Sequence, residues 1–196
     1  MAKDEKRATR NEAGGRVNAL SVLERAEKSK AACSRLLEVP EVQRAGVVLL
    51  YATMPDELDA RPAIFALAEA GKRILLPRCI RETREVVCVE PEDVQHDFVS
   101  DAPGVPKPKG DRIVEIFEVD VVVSPGRAFD RVGNRVGRGA GYYDRFFIRP
   151  GFRAFRCGIA FDCQLFPVVP IEAHDIPMDA VVTESEFFRT RRSRLA

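Results

Sequence analysis

Apolar residues along this chain gather in short blocks, set apart by charged stretches and by stretches rich in proline and glycine. Gly46 to Ala52 (GVVLLYA) is a continuous run of β-formers, the pattern of a strand buried on both faces. Ala60 to Ala70 has helical composition and stops at Gly71, a residue suited to the C′ position. Ile74 to Pro77 and Val86 to Val89 are further buried runs, and the order strand, helix, strand predicts a parallel βαβ unit. Asp120 to Ser124 (DVVVS) is the clearest strand, ended by Pro125-Gly126. Cys157 to Phe161 and Ala180 to Val182 bring the expected total to about six strands.

Ser21-Val22-Leu23-Glu24 has capping-box spacing, and Leu20, Leu23, Cys33, Leu36 and Leu37 then recur at roughly helical intervals, which predicts a helix ending near Pro40. Lys3 to Arg10 is highly charged; if it is helical, Lys6 and Arg10 share one face, and taken alone the segment reads as a solvated helix end. Pro91 to Gly110 is rich in Pro, Asp and Gly and reads as an irregular covering loop, whose end GVPKPKG cannot be helical. The basic tail from Arg189 to Arg194 is expected to be solvated and frayed. With no internal repeat and no linker, residues 1–196 read as a single α/β domain.

Composition narrows the class of partner. The 196 residues suffice to bury roughly 70% of the unfolded surface, so a real core is expected. Lys plus Arg number 31 against 30 Asp plus Glu, so any anion site must be local, and neither nucleic acid nor a membrane surface is an expected partner. The five cysteines are scattered, with no C-x-x-C pair, which suits reduced thiols and a cytoplasmic setting. No run approaches the ~20 apolar residues of a membrane span.

Candidate chemistry concentrates after the Asp120 strand. Glycines 133, 137, 139 and 141 fall within nine residues, and alternating glycines let successive backbone N–H groups converge on a polyphosphate. Helix-compatible residues follow from Tyr142, so the loop is expected to feed a helix whose N-terminal dipole adds to the site. Spacing excludes both a P-loop and the dinucleotide fingerprint, since the G-x-G-x-G begins about a dozen residues past the strand. A tight structural turn competes with the phosphate reading. Arg135, Arg138 and Arg145 favour phosphate, and Asp144 among them favours a cation such as Mg²⁺. Glu57 and Asp59 follow a strand end, where α/β proteins tend to place ligands, although solvated loop acids are the default reading. With His96 the only other histidine, His174 is not expected to join a metal cage.

The run from Pro125 to Arg145, with its Ala128-Phe129-Asp130, Gly133-Asn134-Arg135 and Gly137-x-Gly-x-Gly-Tyr-Tyr-Asp-Arg145 elements, resembles the signature of the 5-formyltetrahydrofolate cyclo-ligase (5,10-methenyltetrahydrofolate synthetase) family. Lys6-x-x-x-Arg10, Met54 to Asp59, Gly71 to Pro77 and Val169-Pro170…His174-Asp175 are similar to other family segments in the same order.

The resemblance implies a three-layer α/β sandwich with a mostly parallel central sheet, related to the ribose-phosphate isomerase and CoA-transferase group. It implies ATP- and Mg²⁺-dependent cyclisation of 5-formyltetrahydrofolate through a phosphorylated formyl intermediate, by a cytoplasmic enzyme expected to be a monomer. Lys6 and Arg10, within an N-terminal phosphate-contacting segment 1–20, would meet ATP phosphates, and Arg135, Gly137, Arg138, Gly139, Ala140, Gly141, Tyr142 and Tyr143 would wrap the nucleotide. Asp144 and Asp175 would hold Mg²⁺; Lys6, Arg10, Arg138 and Asp144 would carry catalysis; Glu57, Arg10 and the chain around Ala52 would meet the folate, with Asp59 structural.

Two residues depart from the family pattern: Ala60, where Thr is usual, and Arg127, where an apolar residue is usual; the loop around Gly104 to Pro108 is only loosely family-like. A sugar-phosphate isomerase or CoA-transferase relative without ATP chemistry, and a binding protein that has lost turnover, remain alternatives.

Overall fold

The computed structural model describes residues 2–94 and 110–190. The charged N-terminus is not a solvated end but a full helix, α1 (Ala2–Asn18), with Lys6, Ala13 and Val17 buried. Helix α2 (Val22–Leu37) starts where the capping box is written: Glu24 N–H donates to Ser21 Oγ at 3.2 Å, and Ser21 N–H donates to a Glu24 carboxylate oxygen at 2.7 Å. It closes at Leu37, and Pro40 opens a further short helix, α3 (Pro40–Arg44). Proline has no N–H to lose in a first turn, so it suits a helix start as well as a stop.

Strand β1 (Val47–Leu49), helix α4 (Arg61–Glu69) and strand β2 (Arg73–Ile80) form the expected parallel unit, with Val47 opposite Arg73 and Leu49 opposite Leu75. Strand β3 (Glu85–Val89) returns antiparallel to β2, and β4 (Ile113–Val114) pairs with β3. Then come β5 (Val121–Pro125), the small hairpin β6 (Ala128–Phe129) and β7 (Arg135–Val136), helix α5 (Tyr142–Phe147), β8 (Phe155–Ile159), β9 (Ala180–Val182) and β10 (Phe187–Arg189). Among the described residues there are thus ten strands rather than six. The additions are two or three residues long, too short to show a period. Arg189 ends β10, and Thr190 is buried with its hydroxyl on Met178 O, so the basic tail begins in ordered structure; residues 191–196 and 95–109, including most of the expected covering loop, lie outside the described residues.

The larger sheet runs β10-β9-β8-β5-β1-β2-β3-β4, parallel from β9 through β2. Its strands are buried on both faces with the two-residue alternation of the pleat. Val48, Leu50, Ile74, Leu76, Val121 and Val123 pack with α2, α3 and α4, whereas Leu49, Leu75 and Val122 pack with Phe146 and Phe147 of α5. Helices on both faces make three layers. From β1 the chain moves outward through β2 to β4, then crosses back to lay β5 on the other side of β1. The strand order therefore reverses between β1 and β5, and a crevice opens at their carboxyl ends, the usual ligand position in sheets of this kind.

Candidate functional site

A cavity of about 310 Å³ lies at this reversal. Tyr51 and Ala52 extend from β1 into it, Pro77 and Cys79 come from β2, and Pro125 to Arg127 from the end of β5. Helix α1 contributes Lys6 and Arg10; the glycine-rich segment contributes Arg135 through Asp144; the chain near the C-terminus contributes Glu172, His174 and Asp175. Every ATP-, folate- and metal-contacting residue implied by the family resemblance, Glu57 included, thus lines one cavity, although the segments that carry them are widely separated in sequence.

The glycine loop has a backbone most side chains resist. Gly139 (φ 103°) and Gly141 (φ 67°) are left-handed, and Gly141 leads directly into α5. Arg10 Nε donates to Gly137 O at 2.7 Å, tying α1 to the loop. The hairpin beneath is set by Asp130, which is buried and accepts from the backbone N–H groups of Val132, Asn134 and Val169 and from the Asn134 amide. Helix α5 begins at Tyr142 as expected, but at six residues it makes less than two turns, and the cations rather than its dipole must meet any anion.

Charges in the cavity neutralise one another in three groups. Lys6 Nζ sits 2.5 Å from Asp175 and 2.7 Å from Glu172, with its side chain only 7% exposed. Burial alone would lower its pKa, but the hydrogen bonds it donates to Asp175 and Glu172, with the charges of those carboxylates, outweigh burial and hold it above the usual lysine value. Lys6 in turn keeps Glu172 below the usual carboxylate range. Arg135, 4% exposed, reaches both Asp144 oxygens at 3.3 and 3.4 Å, and its guanidinium lies over the Tyr143 ring at 5.3 Å. Its Nε and the buried Tyr143 hydroxyl find no protein partner among the described residues. Arg138 Nε donates to Glu57 at 2.9 Å, while Asp56 bridges Arg138 and Arg127 with one oxygen each. Burial opposes ionisation of Asp56, and the two guanidiniums overcome it and hold its carboxyl below the usual range.

The oxygens also fit a hard divalent cation. Asp144 accepts from Ile176 N–H at 3.3 Å, so its carboxylate lies beside the residue that follows Asp175. All its contacts are long, leaving lone pairs free for a closer ligand. His174 stands beside these acids: its Nε2 lies 3.9 Å from Glu172 and from Asp175, and ligand atoms of the three residues fall within 4.8 Å of one another. The Lys6 ammonium stands against two of these carboxylates, so this is a place built for positive charge. Mainly carboxylate donors suit Mg²⁺ better than a soft metal.

The comparisons with known proteins settle the family. The model of the 5-formyltetrahydrofolate cyclo-ligase family matches residues 2–184. The chain belongs to that family. A relative named 5-formyltetrahydrofolate cyclo-ligase from Escherichia coli (strain K12) is 33% identical over 174 residues, covering 87% of this chain and 96% of that protein. One of the same name from Mus musculus is 28% identical over 193 residues, covering 91% and 93%. Among solved structures, the Aquifex aeolicus 5,10-methenyltetrahydrofolate synthetase is similar with a TM-score of 0.79 at 32% identity, covering 95% of this chain and 93% of that one. The Mycoplasma pneumoniae 5,10-methenyltetrahydrofolate synthetase, 20% identical with a TM-score of 0.74 and covering 91% and 98%, shares the fold.

The two departures from the cyclo-ligase pattern have different consequences. Ala60 is buried at the start of α4, where its N–H donates to Thr53 Oγ1, and it does not line the cavity. Arg127 does line it. Glu172 and Asp56 escaped sequence reasoning as site residues. The available signals were the spacing Glu172-x-His174-Asp175 and the position of Asp56 next to Glu57, both of which read equally well as solvated acids.

Proposed function

We propose that this chain catalyses the ATP- and Mg²⁺-dependent conversion of 5-formyltetrahydrofolate to 5,10-methenyltetrahydrofolate, releasing ADP and phosphate. The observation that carries this reading is the convergence of α1, the segment after β1, the glycine loop and residues 172–175 on one cavity at the sheet reversal. Cations for a triphosphate and carboxylates for a divalent ion meet there beside an apolar wall.

An N-formyl group is an amide, and the resonance behind its ~18–20 kcal/mol rotation barrier also makes its carbon a poor electrophile. The γ-phosphoryl group passes to the formyl oxygen as the bond to ADP breaks. N10 of the folate then attacks the activated carbon, loses its proton, and the carbon–oxygen bond breaks with phosphate as leaving group. Positioning and charge neutralisation do most of this work. Lys6, Arg10 and Arg138 neutralise the phosphoryl oxygens, Arg135 orders Asp144, and the backbone from Gly137 to Gly141 receives the phosphate chain. Tyr142 and Tyr143 wall the nucleotide. Glu57 accepts N–H donors of the pterin ring beside Ala52. Asp144 and Asp175 would hold Mg²⁺, which supplies charge neutralisation at the phosphates.

Purified protein incubated with 5-formyltetrahydrofolate and Mg²⁺-ATP should show methenyl absorbance and phosphate release in equal amounts. The Asp144→Ala variant should stay folded and lose Mg²⁺-dependent turnover. Phosphate release without methenyl product, or an Asp144→Ala enzyme with normal Mg²⁺ dependence, would refute the assignment.

A further inference from the structure

The acids of residues 54–57 are shared unequally between two arginines. Glu57 accepts the Met54 N–H on Oε2 at 3.0 Å, and its own N–H donates to Met54 O at 3.0 Å, so a closed turn fixes this carboxylate. The other oxygen, Oε1, accepts from Arg138 Nε at 2.9 Å. Asp56, on the same turn, gives Oδ1 to Arg138 and Oδ2 to Arg127. Arg138 therefore spends a whole edge of its guanidinium, Nε and Nη2, on two carboxylates, whereas Arg127 holds one.

The two arginines are also mounted differently. Arg127 is anchored through its backbone: its N–H donates to Val136 O at 2.7 Å, and its carbonyl accepts from the buried Gln164 side chain at 3.0 Å. Arg138 stands in the glycine loop, between Gly137 and the left-handed Gly139, with its side chain 35% exposed against 17% for Arg127. The fixed arginine holds Asp56 from the end of β5; the other is carried by the loop that would receive the phosphate chain.

We infer that Arg127 is a positioning residue that couples the two substrates: it keeps Asp56 satisfied when Arg138 leaves for the nucleotide phosphates, and that departure uncovers Glu57 for the folate. The inference rests on the function proposed above, which gives Arg138 to phosphate and Glu57 to the pterin. Arg138 cannot pair its Nε–Nη2 edge with a phosphate and with both acids at once. While it stays on Glu57, a pterin N–H competes with a guanidinium for Oε1. Once it moves, Oε1 is open, and the turn stays in place because Asp56 still has Arg127. Without Arg127, Asp56 depends on Arg138 alone and holds it away from the phosphates. Nucleotide and folate then each bind better in the presence of the other, by the same factor.

The test is calorimetric binding of 5-formyltetrahydrofolate without nucleotide and with saturating Mg²⁺ and the non-hydrolysable β,γ-imido analogue of ATP. For the wild-type chain, Kd should be about tenfold lower with the analogue, a coupling of about 1.4 kcal/mol. In Arg127→Leu the ratio should fall below about threefold, and Arg127→Lys should recover part of it. Adding Asp56→Asn to Arg127→Leu should return the ratio toward the wild-type value, because no second acid then retains Arg138. A merely structural Arg127 would weaken folate binding equally in both conditions and leave the ratio unchanged in every variant. That result, or equal Kd values for the wild-type chain with and without the analogue, would overturn the inference. So would a double variant with a ratio as low as that of Arg127→Leu. Wild-type protein that binds no 5-formyltetrahydrofolate in either condition would remove the proposed function and the coupling with it. Because binding is read without turnover, intact coupling with no methenyl product counts against the proposed reaction alone.

Discussion

Replacing Lys6 with Met keeps the length of the side chain and removes its charge, leaving Asp175 and Glu172 facing each other. Asp175 is 12% exposed, close to the regime in which loss of one partner from a buried ion pair costs about 3–5 kcal/mol. Glu172 is 38% exposed and can turn to water, so its share is on the order of 0–1 kcal/mol. Asp175 also keeps the Glu172 N–H at 2.7 Å, which moderates its loss. A total near 3 kcal/mol follows, and for a chain of this size that corresponds to a Tm about 6–12 °C lower. Circular dichroism melts in a chelating buffer would measure it. Millimolar Mg²⁺ should raise the Tm of Lys6→Met more than that of the wild type, because both carboxylates become available to a cation that stabilises the fold by mass action. A Tm within about 2 °C of wild type, or an identical response to Mg²⁺, would refute the claim that Lys6 stands at a cation position and ties α1 to residues 172–175.

Three other outcomes are expected. A Cβ at Gly158 would lie 2.6 Å from the fully buried Phe129 ring, so Gly158→Ala should cost about 1–3 kcal/mol by overpacking, seen as a Tm several degrees lower in scanning calorimetry. Burial pushes the Cys33 and Cys88 thiols up to about 12, so peptide mapping after brief alkylation should find Cys79 and Cys163 modified first. Cys79 lines the cavity, so Mg²⁺-ATP with 5-formyltetrahydrofolate should protect it while Cys163 continues to react. Asp56 is held below its ordinary pKa by Arg138 and Arg127 against the opposing effect of burial. Its stabilising contribution is therefore complete above the unfolded value of ~3.9 and disappears as pH falls through the lower folded value. Urea midpoints of wild type and Asp56→Asn should differ at pH 7, by no more than about 1 kcal/mol for so exposed a pair, and converge in strong acid.

Much of the site was legible in the sequence because its backbone needs are local. Left-handed turns at 139 and 141 call for glycine, and both positions fall in the glycine run that stands out along the chain. The charge partners were not legible. Lys6 and Asp175 are 169 residues apart, and nothing near Lys6 distinguishes it from the exposed Lys3 and Arg7 on the same helix. Arg127 could be seen as a departure from the cyclo-ligase pattern, but its bond to Asp56 depends on how the end of β5 lies beside the segment after β1.

What the sequence determined by itself is the set of elements whose signals span a few residues: the capped start of α2, the doubly buried β1 and β5, the β1-α4-β2 unit and the glycine turn. Propensity, capping and two-residue alternation act over hydrogen bonds between near neighbours, so local order suffices to read them. Only the tertiary structure decided the order of strands around β1, the burial of Lys6 and the pairing of each arginine with its acid. Those depend on which surfaces meet in space, and among 31 cations and 30 anions the charge pattern alone allows many partners for each.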